Sequence, residues 1–312
     1  MELVINIVLP VFAVVFSGWF ACRSGGIPMS AVQALNHFII NYAVPPMLFL
    51  AMAKVSLDAL VNPSFIAAYF IATTITMVLG VFGYRGLKSR DSLDAIVISL
   101  ICGWGNTIYM GVPLAFYMFG EKGTVPVVIA TLSTNMVFII GLALVGNKSS
   151  GGTYWQNAWN TFSRMFLKNP VLIAPIAGGV FSYFSIPLPV PVNNLFAMLA
   201  PSAAPVALFA MGASLVGIKI QGETGRLVWV TLVKVVFNPL VALLVVYLMG
   251  LEPFWAASVV LMSSLPTGSM VFIFARQYER RVELASGAIM STTILSLLSL
   301  AVILPLLKIW VD

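Results

Sequence analysis

The sequence predicts an all-α integral membrane protein: ten transmembrane helices in two inverted five-helix repeats, with helices 4 and 9 broken and crossing. Three observations carry that prediction. Sixty per cent of the 312 residues are hydrophobic and only 8% are charged, whereas a soluble domain is about a quarter charged. A chain so poor in charge cannot solvate its own surface, so lipid is its solvent. The apolar residues fall into ten runs bounded by charges, glycine, proline and asparagine. Two of those runs, at matching places in the two halves, are interrupted by glycine, proline and short polar residues.

The runs lie at 3–22, 31–53, 64–84, 93–119, 124–146, 168–185, 192–216, 226–249, 253–275 and 282–307. Spans of roughly 20 residues each use most of the chain and leave short loops with no room for a soluble domain. The first run follows Met1-Glu2 directly, without the positive segment and cleavage site of a secretory signal, and is expected to be a retained span. The longest polar stretch, Asn147 to Lys168, contains Ser149-Ser150-Gly151-Gly152. It divides the chain into a first repeat (1–146), a cytoplasmic linker (147–167) and a second repeat (168–312). Cys22 and Cys102 lie at the end of one run and inside another. Neither disulfide nor metal-site spacing links them, so both read as packed thiols, and no metal or other cofactor is expected.

Charge sets the orientation. The loops after spans one, three, five, seven and nine hold Arg23, Arg85, Lys88, Arg90, Lys148, Arg164, Lys168, Lys219, Arg226, Arg276, Arg280 and Arg281, twelve in all. The opposite face holds three, Lys54, Lys122 and Lys308, while Lys234 lies inside a span. By the positive-inside rule the odd loops are cytoplasmic and both termini lie outside, in a multi-pass protein of the cell (inner) membrane. The net charge of +6 is spread over short loops with no basic cluster, which argues against a nucleic-acid partner.

Five spans per half is an odd number, so a duplicated half inserts upside down. Pro10 and Phe16-Ser17 match Pro175 and Phe181-Ser182 at an offset of 165, and Pro46 and Ala51-Met52 match Pro205 and Ala210-Met211 at 159. Thr107 and Met110 match Thr267 and Met270 at 160, and Glu121, Ala130 and Ser133-Thr134 match Glu279, Ala288 and Ser291-Thr292 at 158. One match is near chance in so apolar a chain, but four in order at a nearly constant offset indicate an inverted repeat.

Span four contains Gly103-Trp104-Gly105-Asn106-Thr107-Ile108-Tyr109-Met110-Gly111-Val112-Pro113, and span nine contains Ser263-Ser264-Leu265-Pro266-Thr267-Gly268-Ser269. A backbone released from its helix cannot face lipid, so such breaks survive where they line a cavity. Half-helix N-termini meeting at mid-membrane favour an anion there. The plainer reading, that Gly and Pro only kink these helices, explains one break more readily than two in register. Asn135, beside Ser133-Thr134 in span five, suits a site or helix–helix glue equally. His37, the single histidine, is a possible proton-coupling residue or a structural partner to a carbonyl. Lys234 is a functional suspect because it is an intramembrane charge, although its stem could snorkel to the surface. Pro45-Pro46, Pro201 and Pro205 read as structural kinks.

Gly146-Asn147-Lys148-Ser149 lacks the pattern of a phosphate-binding loop. With no paired-histidine, Asp-rich or nucleophile-elbow motif in view, the expectation is a non-enzyme. Two asymmetric breaks favour alternating access over a channel pore.

At the same residues the sequence resembles the auxin efflux carrier family, which includes plant auxin exporters and bacterial malonate or malate carriers. Asn106-Thr107 through Gly111-Val112-Pro113-Leu114 is similar to its span-four signature, and Leu265-Pro266-Thr267-Gly268 through Ala275-Arg276-Gln277-Tyr278 to its span-nine signature. Pro45-Pro46-Met47-Leu48-Phe49 resembles its second span. The resemblance implies a scaffold of helices 1, 2, 6 and 7, a mobile transport domain of helices 3–5 and 8–10, elevator-like motion and a homodimer. It also implies a small carboxylate as substrate. The short central linker is similar to the bacterial-type members and departs from the long-looped plant exporters, which weakens any reading of auxin itself as the substrate.

The two readings together place the carboxylate of a small organic anion on Asn106, Thr107, Thr267, Gly268 and Ser269 with nearby backbone amides, and count Pro266 among the substrate-binding residues. Tyr109, Met110 and Pro113 are expected to shape the pocket, with Asn135 nearby, and His37 or Lys234 to serve any coupling to H+ or Na+. The other readings are a sodium-coupled organic anion carrier of bile-acid-symporter architecture and a non-transporting membrane sensor.

Overall fold

A computed structural model describes residues 9–54, 62–85, 92–145, 169–217 and 224–311. The linker over 147–167, Asn147, Lys148, Arg164, Lys168, Lys88, Arg90 and Lys219 lie outside the described residues. The described chain is mostly helical. In order come α1 (Leu9–Arg23), α2 (Met29–Ala53), α3 (Pro63–Arg85), α4 (Ser92–Gly103), α5 (Thr107–Phe119) and α6 (Thr124–Val145). After the linker follow α7 (Pro170–Tyr183), α8 (Val190–Ser214), α9 (Thr224–Met249), α10 (Pro253–Ser264), α11 (Met270–Gln277) and α12 (Val282–Val311). These helices fall on the apolar runs, with the fourth run divided into α4 and α5 and the ninth into α10 and α11.

Five helices, α2, α3 over Pro63–Gly83, α8, α9 and α12, are long and apolar enough to cross a membrane by length and composition. Their outer faces agree with that. Tyr247 is 83% exposed, Met198 79% and Ile309 74%, an arrangement that would drive a soluble protein to aggregate and that lipid accommodates. The chain is therefore an all-α membrane protein. Cys22 and Cys102 are both free thiols, Cys102 fully buried.

Proline shapes three of the helices by one rule. A π-helical turn, Ile39–Ala43, precedes Pro45-Pro46 in α2; another, Thr107–Gly111, precedes Pro113 in α5; a third, Val233–Phe237, precedes Pro239 in α9. In each, the residue just before the proline donates its N–H five residues back, Val44 to Ile39 O, Val112 to Thr107 O and Asn238 to Val233 O, and the turn widens. The kink predicted at Pro45-Pro46 has this form. In α8, Pro201 sits instead in a 3₁₀ turn, Ala200–Ser202.

The two most extensive helix–helix contacts join α1 to the Ala203–Ser214 half of α8 and α7 to the Val44–Ala53 half of α2. Both depend on glycine. A Cβ on Gly18 would overlap the carbonyl oxygen of Phe209, and one on Gly212 that of Val15. Likewise a Cβ on Gly178 would overlap the carbonyl oxygen of Phe49. In lipid, helices associate through such close backbone approach rather than through hydrophobic burial. The other large contacts join α3 to α4, α9 and α6, and α10 to α12 and α9. Buried polar pairs tie this second group together. Tyr69 Oη and the Thr134 hydroxyl share a hydrogen bond of 3.2 Å, the Thr76 hydroxyl donates to Asn238 Oδ1 at 3.0 Å, and Trp229 Nε1 donates to Gly80 O at 3.1 Å. Far from the breaks, Arg281 binds Asp94 Oδ2 through Nη2 at 2.6 Å and Nε at 2.8 Å, fixing the first turn of α4 to the α11–α12 turn.

Gly212→Ala is expected to push α1 off α8 and to cost about 1–3 kcal/mol by overpacking, seen as a lower melting midpoint in detergent. Gly225→Ala, where a Cβ meets nothing within 4 Å, is the matched control and is expected to leave the midpoint unchanged.

Candidate functional site

The two helix breaks meet. Helix α4 stops at Gly103, the chain runs through Trp104, Gly105 and Asn106, and α5 begins at Thr107. Helix α10 stops at Ser264, the chain turns extended at Leu265 and forms a bridge residue at Thr267, and α11 begins at Met270. Gly105 and Thr267 form an antiparallel bridge, in which Asn106 N–H donates to Pro266 O at 2.8 Å and Gly268 N–H donates to Trp104 O at 3.0 Å. Each break satisfies the other's backbone. Glycine is what lets them approach: a Cβ on Gly268 would stand 3.1 Å from Gly105 O, and one on Gly105 3.1 Å from Met262 O.

Asn106 is the N-cap of the π turn that opens α5. Its Oδ1 accepts from Tyr109 N–H at 3.3 Å and its carbonyl accepts from Met110 and Gly111 N–H at 3.1 and 3.0 Å. The side chain is buried, and its Nδ2 donates to Met211 Sδ of α8 at 3.3 Å. A thioether is a weak acceptor, so the strong amide donor of Asn106 rests on a poor partner. Thr107, also buried, shares a 2.8 Å hydrogen bond with the Thr131 hydroxyl of α6. Tyr109 Oη donates to Asn36 Oδ1 of α2 at 3.2 Å. Met110 is fully buried beneath the turn.

The other predicted residues divide between this site and structural work. Thr267 is fully buried and committed to the protein's own groups. Its hydroxyl donates to Ile101 O at 2.8 Å, in the last turn of α4, and its N–H donates to the Thr292 hydroxyl at 3.1 Å. Pro266 offers only its carbonyl, which Asn106 already uses. Gly268 spends its N–H on Trp104, while Ser269 is half-buried at the start of α11 with no side-chain cap bond. Asn135 Nδ2 donates to Thr131 O one turn back in its own helix, at 2.7 Å. His37 is exposed on α2, its ring 6.1 Å from that of Tyr42. Lys234 lies 1% exposed in the π turn of α9, its Nζ without a hydrogen-bond partner among the described residues. The lysine does not snorkel.

A cavity of about 520 Å³ opens between α5 and the helices α1, α2 and α8. Val112 and Pro113 line it from α5 and Pro205 from α8, with Lys54, Tyr117 and Thr124 as polar members of its lining. Asn106 and Thr107 are not among its lining residues. Sequence reasoning missed Met211, Thr131 and Thr292, each of which meets the site from another helix. Met211 and Thr292 did carry a signal, since both belong to the internal-repeat matches.

Residues 3–304 match the model of a family described as membrane transport protein. Among curated proteins, the chain is 29% identical over 311 residues to the "Putative malonate transporter" of Rhizobium meliloti (strain 1021), covering 97% of this chain and 95% of that one. It is 24% identical over 278 residues to the "Uncharacterized transporter YfdV" of Escherichia coli (strain K12), covering 86% and 87%. A 25% identity over 320 residues to the "Lysosomal cholesterol signaling protein" of Mus musculus covers 91% of this chain and 35% of that protein.

Thr267→Val keeps the shape of the side chain but leaves Ile101 O without its donor. The expected cost is about 1–3 kcal/mol, that of an unsatisfied buried acceptor, read as a lower melting midpoint in detergent. An unchanged midpoint would show that the hydroxyl does not hold the two breaks together.

Proposed function

The chain belongs to the membrane transport protein family, the auxin efflux carrier family that its broken-helix motifs resemble, and from that premise we propose a secondary active carrier of a small organic anion. The solute class is a mono- or dicarboxylate such as malonate or malate. The observation that carries the reading is Asn106. An amide donor buried at the start of a helix, met among the described residues by the Met211 thioether, exchanges that contact for a carboxylate oxygen with a net gain. The N-terminal turn of α5, with Tyr109, Met110 and Gly111 N–H gathered on Asn106, presents the positive end of its dipole to the same place. Thr107 adds a hydroxyl, and Gly268 and Ser269 bring the start of α11 beside it. Thr267 contributes by holding the two breaks in register.

In this reading the ten runs all span the bilayer as two inverted repeats, with both termini outside. The reciprocal packing supports it: α1 on α8 and α7 on α2 pair the first span with the seventh and the sixth with the second. Those four helices form a scaffold, through which two copies pair as a homodimer. Helices α3–α6 and α9–α12 form the body that moves, carrying the site past the scaffold in an elevator-type step. The cavity beside Pro113, with Lys54 at its edge, is the approach from the outer face. The relative's printed name, a malonate transporter, is the reason to begin with that acid. The mouse relative's name favours one other reading, a membrane sensor that binds a ligand without moving it.

Counterflow in proteoliposomes loaded with malonate or malate tests the carrier. Accumulation is expected for the wild type and a fall of at least about tenfold for Asn106→Ala at equal reconstitution, since a lost charged hydrogen bond is worth about 1.5–3 kcal/mol. Saturable binding without flux would favour the sensor, and full counterflow in Asn106→Ala would move the site elsewhere.

A further inference from the structure

Lys234 is an ammonium group with no evident reason to be where it is. It lies in the widened turn before Pro239, 1% exposed, and its Nζ has no hydrogen-bond partner among the described residues. Burying a charge is costly unless something of opposite sign meets it, and in this protein little does. Of the acidic side chains described, Glu252, Glu279 and Glu283 are exposed, and Asp94 is bound by Arg281 at the far end of α4. The Cys102 thiol, within electrostatic reach, is not an acid of that kind.

What the ammonium does face is the break. Nζ stands 3.8 Å from where a Cβ of Gly105 would be. It therefore occupies the side of residue 105 that a side chain would otherwise fill. Asn106, the next residue, turns its own side chain to Met211 of α8. Lys234 thus lies against the residue that precedes Asn106, in the space that the absent side chain of Gly105 leaves open. Ser263, the neighbour of Met262 at the same crossing, also buries a hydroxyl with no partner among the described residues.

We propose that Lys234 is the internal counter-charge of the solute site, its ammonium attracting the anionic group of the solute across the backbone of Gly105. The proposal rests on the carrier reading above and deepens it, because it ties selection to charge: a dianion gains more from this lysine than a monoanion. Attraction through a low-dielectric interior needs no direct contact. The unpartnered state of Lys234 is then the empty state of the site. Lys234 is a positioning and selecting residue.

The test is thermal stabilisation of purified protein in detergent by the sodium salts of malonate, acetate and chloride at constant ionic strength. It compares the wild type with Lys234→Met, Lys234→Gln and Lys234→Arg. We expect malonate to stabilise the wild type more strongly than acetate does. The apparent Kd for malonate should weaken at least about tenfold in either neutral variant, one charge–charge interaction of about 1.4 kcal/mol, with recovery in Lys234→Arg. Malonate stabilising a folded neutral variant as strongly as the wild type would overturn the proposal, and so would a wild type that no anion stabilises. A wild type that favours acetate or chloride over malonate, with the effect lost in the neutral variants, would keep the counter-charge but overturn the selection by charge and reject the dicarboxylate reading. Should neither neutral variant fold, the wild-type order decides: malonate no better than acetate overturns the selection by charge.

Discussion

The structure depends on one constraint: backbone amides and carbonyls released from a helix inside an apolar medium must find partners. Two helices break in this chain, and each break is tolerated because the other supplies what it lacks. Asn106 N–H reaches Pro266 O, Gly268 N–H reaches Trp104 O, and the Thr267 hydroxyl closes Ile101 O. An unpaired group there costs several kcal/mol, so neither break persists without its counterpart. The glycines at 105 and 268 follow from this pairing, since any larger residue holds the two strands apart. So does the location of the site, because helix N-termini free to meet a ligand exist only where helices have been interrupted.

A second consequence concerns the turns that follow. The π turn after the first break, just before Pro113, places Thr107, Tyr109 and Met110. The π turn in α9, just before Pro239, places Lys234. A regular α-helix would rotate each of these side chains relative to the helix that carries it. Two widened turns, each followed by a proline, therefore decide which way the chemistry points.

Much of this was legible in the sequence. The ten apolar runs fix the helices to within a few residues, and the Gly/Pro/Asn/Thr interruption predicts where α4 and α10 end. Those signals are local: hydrophobic runs and helix breakers act on their own segment. The partners were not legible. Met211 receiving the Asn106 amide, Thr292 receiving Thr267 N–H and Thr131 meeting Thr107 are encounters between helices distant in sequence, and no spacing rule links them. Thr267 shows the limit most clearly. As a residue type in a broken helix it reads as a ligand, yet the structure uses its hydroxyl to hold the last turn of α4 and its N–H to meet Thr292 of α12. Lys234 could equally have snorkelled or been buried, and only the packing of α9 against the break decides.

The contrast between two kinds of contact bears on motion. Within the pair α1–α8 and the pair α2–α7, glycine brings backbone against backbone, leaving no slack. Across the boundary between these helices and α5, the polar contacts are few and weak: an amide on a thioether at 3.3 Å and a phenol on an asparagine at 3.2 Å. Between the same helices, along Val112, Pro113 and Phe116 of α5, lies an open cavity rather than packed side chains. Breaking a thioether contact forfeits little, whereas separating Gly212 from Val15 forfeits a close-packed seam. If the molecule moves in parts, the boundary at Asn106 is where it parts with least loss. On the proposed carrier reading, a solute bound at Asn106 would replace the weaker of those contacts, so that recognising the solute and releasing the boundary would fall to the same residue.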